Sequence, residues 1–254
     1  MISAFRSHWR LYLMEAAGLA TFMISACLFG VLLEHAESPV RHAIGDPLER
    51  RALMGLAMGL TAVTIIYSRW GKNSGAHINP SVTLAFLRLG RIKWPDALFY
   101  IGAQFAGAIA GVLIASILLG SRLAQMPPRF VVTTPGPNGP ALAFAAEIAI
   151  SAILMLVVLS VSSSRFSSYT GLSAGALVAL YITFEAPLSG MSMNPARTFG
   201  SALVAQDATG LWIYFTAPPL GMFVAASLHR WLSRAEGCAK LYHPADVHCI
   251  FCQE

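Results

Sequence analysis

Charge is what this chain has least of. Of its 254 residues, 11% are Asp, Glu, Lys or Arg and 56% are hydrophobic, where a soluble domain carries about 25% charged residues. A soluble monomer is excluded. Cysteine is scarce too. Cys27 falls in an apolar run, and Cys238, Cys249 and Cys252 are confined to the last stretch, so there is no framework for a disulfide-stapled extracellular domain. There is no nucleotide-binding glycine loop and no nucleophile–base pair, and an enzyme reading has nothing to stand on. The N-terminus lacks the marks of a signal peptide: Arg6 and Arg10 lead into a long apolar run that contains Glu15 and shows no clear cleavage site. A formal charge of +5 would suit nucleic acid, but the basic residues sit between apolar runs rather than on one face, which excludes nucleic acid as a partner.

What is present is a series of apolar runs near the roughly 20 residues that a membrane-crossing helix needs. They predict spans at 11–33, 52–68, 95–119, 141–161, 169–186 and 211–232. Residues 120–140, with Pro127, Pro128, Pro135, Pro137 and Pro140 beside Gly136 and Gly139, read as a linker of fixed turns. The linker separates two alike halves. Residues 74–83, SGAHINPSVT, and 189–198, SGMSMNPART, share Ser-Gly-x-x-x-Asn-Pro-x-x-Thr, with Asn79 and Asn194 115 residues apart. Gly55-x-x-x-Gly59 repeats as Gly171-x-x-x-Gly175, Tyr100-x-x-Ala103-x-x-x-Gly107 as Tyr214-x-x-Ala217-x-x-x-Gly221, and Glu15 is echoed by Glu147. Such Gly-x-x-x-Gly pairs let helices cross closely. Each half crosses three times, so the second runs opposite to the first, and the working site of such an inverted repeat lies at the midplane.

The predicted fold is therefore an all-α membrane protein: six transmembrane helices plus two half-helices, at about 80–89 and 195–204, in an inverted repeat. Residues 1–232 form one domain, with halves at about 11–119 and 141–232, and 233–254 form a polar tail. Placing the N-terminus in the cytoplasm, and setting Arg197 aside as part of a motif, gives that side eleven Lys and Arg against five opposite, so both termini are expected inside.

A half-helix of ~10 residues rises about 15 Å, half of the ~30 Å hydrocarbon thickness. Two entering from opposite faces meet at the centre. Asn suits such a tip because its oxygen can accept a first-turn N–H, and Pro suits the next position, where no N–H is needed. Each Asn NH₂ is then expected to be free for a solute. Both positive helix ends aim at one point, which welcomes a neutral molecule with a lone pair and repels a cation, hydronium included. Arg197, whose counterpart is Val82, would line the passage and add to that rejection.

These residues carry a resemblance to the aquaporin (major intrinsic protein) family, of the bacterial type, over about residues 10–232. Six spans, two half-helices and twin Asn-Pro-Ala boxes match. The second box, Asn194-Pro195-Ala196, is intact, and the first is altered to Asn79-Pro80-Ser81. The resemblance implies a passive, non-enzymatic channel for water and small neutral solutes such as glycerol, excluding protons and ions. It implies a multi-pass homotetramer in the lipid bilayer of the plasma (inner) membrane, with no cofactor. It implies an outer constriction of Met58 or Gly59 with Ile182, Met191 and Arg197, in place of the Phe and His of strict water channels. Gly75, Ala76, His77, Gly190 and Ser192 would form the pore loops. Glu15 and Glu147 would brace them by accepting backbone N–H groups, and His77 would pack within its loop. Thr198 and Ala202 stand where glycerol-conducting members carry Asp and a basic residue, while Tyr214-Phe215 resembles the pair of water-type members. Glu185, without a family counterpart, is expected to pair with a loop arginine or stay solvated.

The tail offers Cys238, His243, His248, Cys249 and Cys252, soft ligands at zinc-like spacing. The set expected to hold a metal is His243, His248, Cys249 and Cys252, although a short terminal stretch also favours disorder. Two rivals remain open: a secondary transporter built on inverted repeats, and a channel whose tail binds metal.

Overall fold

The computed structural model describes residues 1–232, 238–244 and 249–252. Eight principal helices carry the architecture: α1 Ile2–Glu34, α2 Pro47–Tyr67, α3 Pro80–Arg88, α4 Trp94–Leu119, α5 Pro140–Ser162, α6 Thr170–Phe184, α7 Pro195–Ala205 and α8 Leu211–Leu232. Among the described residues there is no strand. The helices α1, α4, α5 and α8 are long and apolar enough to cross a membrane. The helices α2 and α6 are the more polar or shorter pair, and they line the centre.

The boundaries differ from expectation where side chains extend a helix. Residues 2–10, a polar lead-in by sequence, are the first turns of α1, which starts well before the expected 11. His8 Nδ1 lies 2.7 Å from Asp96 Oδ1, and Phe5 packs on Phe99 with ring centroids 5.3 Å apart. Asp46 starts α2 early by accepting the Leu48 N–H at 2.8 Å, with Pro47 in the first turn. The helix α6 stops at Phe184, shorter than expected, because the chain turns into a second short helix containing Pro187, which has no N–H to continue the ladder.

The duplication is plain in the packing. In one half α1 packs along α4, and in the other α5 packs along α8, while α2 and α6 meet at the axis between the halves. The repeated glycines make these crossings possible. A Cβ on Gly59 would stand 2.5 Å from the Gly175 carbonyl oxygen, and one on Gly175 would stand 2.7 Å from that of Gly59. Gly107 meets the Ala16 carbonyl in the same way. Each half-helix crosses over: α3 packs on α8 and α7 on α4.

The linker is more than a hinge. Val131 packs against Gly30 of α1, and the Gly136 N–H donates to the Leu188 carbonyl at 3.0 Å. The Arg129 guanidinium pairs with Asp207 at 3.0 Å. The linker therefore lies across one end of the bundle, and the described tail residues pack across the other.

Candidate functional site

Each half-helix begins as its sequence dictates. Asn79 Oδ1 accepts the Ser81 N–H at 2.8 Å, and Asn194 Oδ1 accepts those of Ala196 and Arg197 at 3.1 and 3.2 Å. Pro80 and Pro195 occupy the first turns. The amide nitrogens are not both free, as expected, but half engaged. Asn79 Nδ2 donates to the Met193 carbonyl at 2.7 Å, and Asn194 Nδ2 donates to the Ile78 carbonyl at 2.8 Å. Two ends meeting at close range leave backbone carbonyls that need donors, and the opposite Asn supplies each. One N–H of each amide remains.

The loops before the caps are strained in matching places. Ala76 and Ile78 have φ of 53° and 39°, and Met191 and Met193 have 52° and 54°. Non-glycine residues in this region cost about 1–3 kcal/mol each, which the surroundings must offset. Two buried carboxylates do so. Glu15 accepts from the Ser74 hydroxyl at 2.7 Å, the His77 N–H at 3.1 Å, the Ile78 N–H at 2.6 Å and Gln104 Nε2 at 2.8 Å. Glu147 accepts from the Ser189 hydroxyl at 2.9 Å and from the Ser192 and Met193 N–H groups at 2.6 and 2.8 Å. The Tyr100 and Tyr214 hydroxyls donate to the Ser74 and Ser189 carbonyls at 2.7 and 2.6 Å. Only the repeated pattern around the tyrosines hinted at this last pair. Gln104 gave no signal, since the repeat places Pro218 opposite it.

Beside these loops runs a cavity of about 480 Å³. Its lining extends from Glu34, Pro47 and the linker residues Pro128 and Val131 at one end, past Asn79 and Asn194, to His77 and Leu241 at the other. Met58, Ile182, Met191 and Arg197 all contribute to the wall. Gly59 does not: it faces Gly175 of α6, where the close helix crossing needs it. Ser81 and Ala196 are buried behind the caps. Arg197 Nη1 has no hydrogen-bond partner among the described residues. Glu185 is buried, 9% exposed, and has no ion pair among the described residues; Arg50 and Arg129 at this end pair with Glu34 and Asp207.

His77 is buried between rings, stacked on Phe86 at 4.9 Å and on Phe251 of the tail at 5.9 Å. Its Nε2 donates to the Ala239 carbonyl at 2.6 Å, so the packing partner is the tail as well as its own loop. The tail is not loose here. The Leu241 N–H donates to the Gly75 carbonyl at 3.1 Å, and Lys240 Nζ donates to that of Lys72 at 2.9 Å. Of the expected ligands, His243, Cys249 and Cys252 gather with Cys238, their ligand atoms all within 4.8 Å of one another. His248 lies outside the described residues. A hydrogen bond from the Cys238 thiol, with help from the Phe251 and Cys252 N–H groups and the Lys240 charge, holds the Cys249 thiol well below the ordinary thiol range.

Comparison with known proteins places the site in context. Residues 3–229 match the model of the family described as major intrinsic protein. The putative aquaporin NIP4-1 of Arabidopsis thaliana is 40% identical over 166 residues, which cover 65% of this chain and 56% of that protein. Aquaporin NIP1-3 of Oryza sativa subsp. japonica is 38% identical over 173 residues, covering 67% and 58%. The chain thus spans somewhat over half the length of these relatives. The solved aquaglyceroporin from Plasmodium falciparum shares the fold, with a TM-score of 0.71 over 87% of this chain and 95% of that one at 22% identity.

Proposed function

Because this chain belongs to the major intrinsic protein family, we propose that it is a passive membrane channel for water that also passes small neutral solutes such as glycerol. The observation that carries this reading is the meeting of two Asn-capped half-helices beside one cavity that reaches from the linker end to the tail end. Their positive ends, each worth roughly half an elementary charge, converge there and repel cations. The amide N–H left on each Asn donates to a passing oxygen. A water held in this way turns its hydrogens outward, and a proton relay is interrupted.

Arg197 extends the barrier toward the linker end. Its Nη1, without a partner among the described residues, suits a neutral acceptor, and its charge opposes a cation. Met58, Ile182 and Met191 give the same stretch an apolar wall, which favours a solute larger or less polar than water alone. Being called aquaporins, the plant relatives favour water; the solved fold neighbour, an aquaglyceroporin, is consistent with glycerol.

The tail end faces the cytoplasm by the excess of Lys and Arg on that side, and the plasma membrane is its location. Apolar residues such as Leu56, Leu60, Ile117 and Leu118 remain exposed on one chain. They suit lipid and the neighbouring copies of a homotetramer. A metal in the tail would be an addition to the channel, not part of its conduction.

Stopped-flow light scattering on proteoliposomes tests the reading with water, glycerol and urea. The channel gives flux linear in the gradient, independent of ions and with a low activation energy. Saturable, ion-coupled flux would replace it with the transporter that inverted repeats also serve.

A further inference from the structure

We propose that Cys238, His243, Cys249 and Cys252 bind one zinc-class divalent cation, and that this metal holds residues 239–242 as a plug in the cytoplasmic mouth of the conduit. The gating half of this inference rests on the channel reading above, and the metal half does not.

The ligand set is chemically complete. Zinc takes four ligands in structural sites, and three thiolates with one imidazole are a known combination. A tetrahedron with Zn–S bonds of ~2.3 Å separates its ligand atoms by about 3.8 Å. The four ligand atoms already lie within 4.8 Å of one another, with the Cys238 and Cys249 sulfurs 3.3 Å apart. Little movement would close them on an ion. Zn²⁺ with three thiolates and a neutral imidazole carries one net negative charge. Lys240, 1% exposed, lies beside the cluster, and Arg91 adds positive charge near Cys238. A lysine buried that far is costly without a counter-charge, and the loaded site supplies one.

The coupling to the conduit is in the order of the residues. Cys238 and His243 bracket 239–242, so fixing both ligands fixes the segment between them. That segment is the part of the tail that touches the conduit. The Ala239 carbonyl accepts from His77, the Leu241 N–H donates to Gly75, and the Leu241 side chain lines the tail end of the cavity. From the far side of the cluster, Phe251 stacks on His77. Zinc binding in small modules is commonly also folding energy, and a segment this short has no apolar core of its own to replace it. The cluster lies beyond the stretch that matches the family.

The test uses the full chain purified under reductant, with elemental analysis for zinc and stopped-flow permeability in proteoliposomes. The wild type should retain about one zinc per chain through gel filtration, and C249S/C252S should retain little. A chelator should raise wild-type water permeability by about threefold or more, and added zinc chloride should reverse it, as expected if the plug is seated most of the time. The double variant should be open from the start and respond to neither. Leu241→Ala should keep its zinc yet conduct more. Protein that conducts but holds no stoichiometric zinc overturns the metal site, and a Cys238–Cys249 disulfide in its place does the same. Zinc retained with permeability indifferent to the chelator overturns the plug. Zinc retained with no flux of any solute in any variant overturns the channel reading, and the plug with it.

Discussion

The side-chain nitrogen of Asn79 donates to the carbonyl of Met193 at 2.7 Å, so the cap of one half-helix is fastened to the loop that leads into the other. Asn194 returns the tie to Ile78. Asn79→Asp keeps the oxygen that caps the Ser81 N–H but sets a carboxylate oxygen against the Met193 carbonyl. An unsatisfied buried group costs about 1–3 kcal/mol, more if charged. Water permeability should fall at least about tenfold, in step with a lower melting temperature in detergent. A variant that conducts and melts like the wild type would show that the tie is dispensable.

Glu147 gathers two N–H groups and one hydroxyl on its two oxygens. Glu147→Gln leaves the shape intact and turns one oxygen into a donor facing donors. Hydrogen bonds to a charged acceptor are worth about 1.5–3 kcal/mol each, so the loss should exceed 2 kcal/mol. The Met191 and Met193 backbone, held at positive φ, should relax first. The check is thermal unfolding in detergent, with Glu15→Gln as the equivalent change in the other half. Equal stability of Glu147→Gln and wild type would mean that something else holds the loop.

Local chemistry made much of this legible in advance. The twin Asn-Pro pairs announced two helix starts, because cap and first-turn preferences need no tertiary partner. The spacing of Gly55, Gly59, Gly171 and Gly175 announced close crossings. Features that need two distant segments stayed hidden. Nothing in residues 120–140 says that Val131 will lie on Gly30, and nothing near Cys238 says that Leu241 will reach the conduit. Gln104 was invisible because it has no repeat partner. The choice between Met58 and Gly59 could not be made from spacing, since a shift of one residue turns a helix face by about 100°.

Arg197 presents an Nη1 without a partner among the described residues to the conduit wall. Arg197→Val removes the charge and keeps an apolar side chain, as Val82 does at the matching place. Proton or cation leakage should rise clearly, while water permeability stays within about twofold, because the cost of passing a cation depends on the fixed charge whereas water needs only the bore. A pH-sensitive dye and a membrane potential in proteoliposomes read the leak. Leakage no higher than wild type would remove Arg197 from the barrier.

Ile182 lines the conduit together with Met191 and Arg197. Ile182→His narrows the stretch with a ring and adds a hydrogen-bonding group to an apolar wall. The glycerol-to-water permeability ratio should fall several-fold, mainly by loss of glycerol flux. Swelling curves for both solutes on one preparation decide it. A constant ratio would mean that selectivity is set elsewhere.

Gly59 and Gly175 hold α2 and α6 at the distance on which the bore depends. A Cβ at Gly59 would stand 2.5 Å from the Gly175 carbonyl oxygen and 3.1 Å from the Ala179 Cβ. The first of these is backbone and cannot swing away, so the helices themselves must part. Overpacking of this kind costs about 1–3 kcal/mol, and the larger value applies where backbone is struck. The same parting would shift Met58 on one helix and Val178 and Ile182 on the other, all of which face the cavity. Gly59→Val should therefore lower both stability and selectivity, with more glycerol leaking per water in whatever protein survives purification. Among the described residues, no neighbouring atom lies within 4 Å of the would-be Cβ of Gly102, on α4. There Gly102→Ala should leave permeability unchanged and hold or raise the melting temperature, since alanine stabilises a helix interior by about 0.5–1 kcal/mol over glycine. If Gly59→Val behaves like Gly102→Ala, the α2–α6 contact does not set the bore, and the apolar wall must owe its spacing to the linker that lies across it.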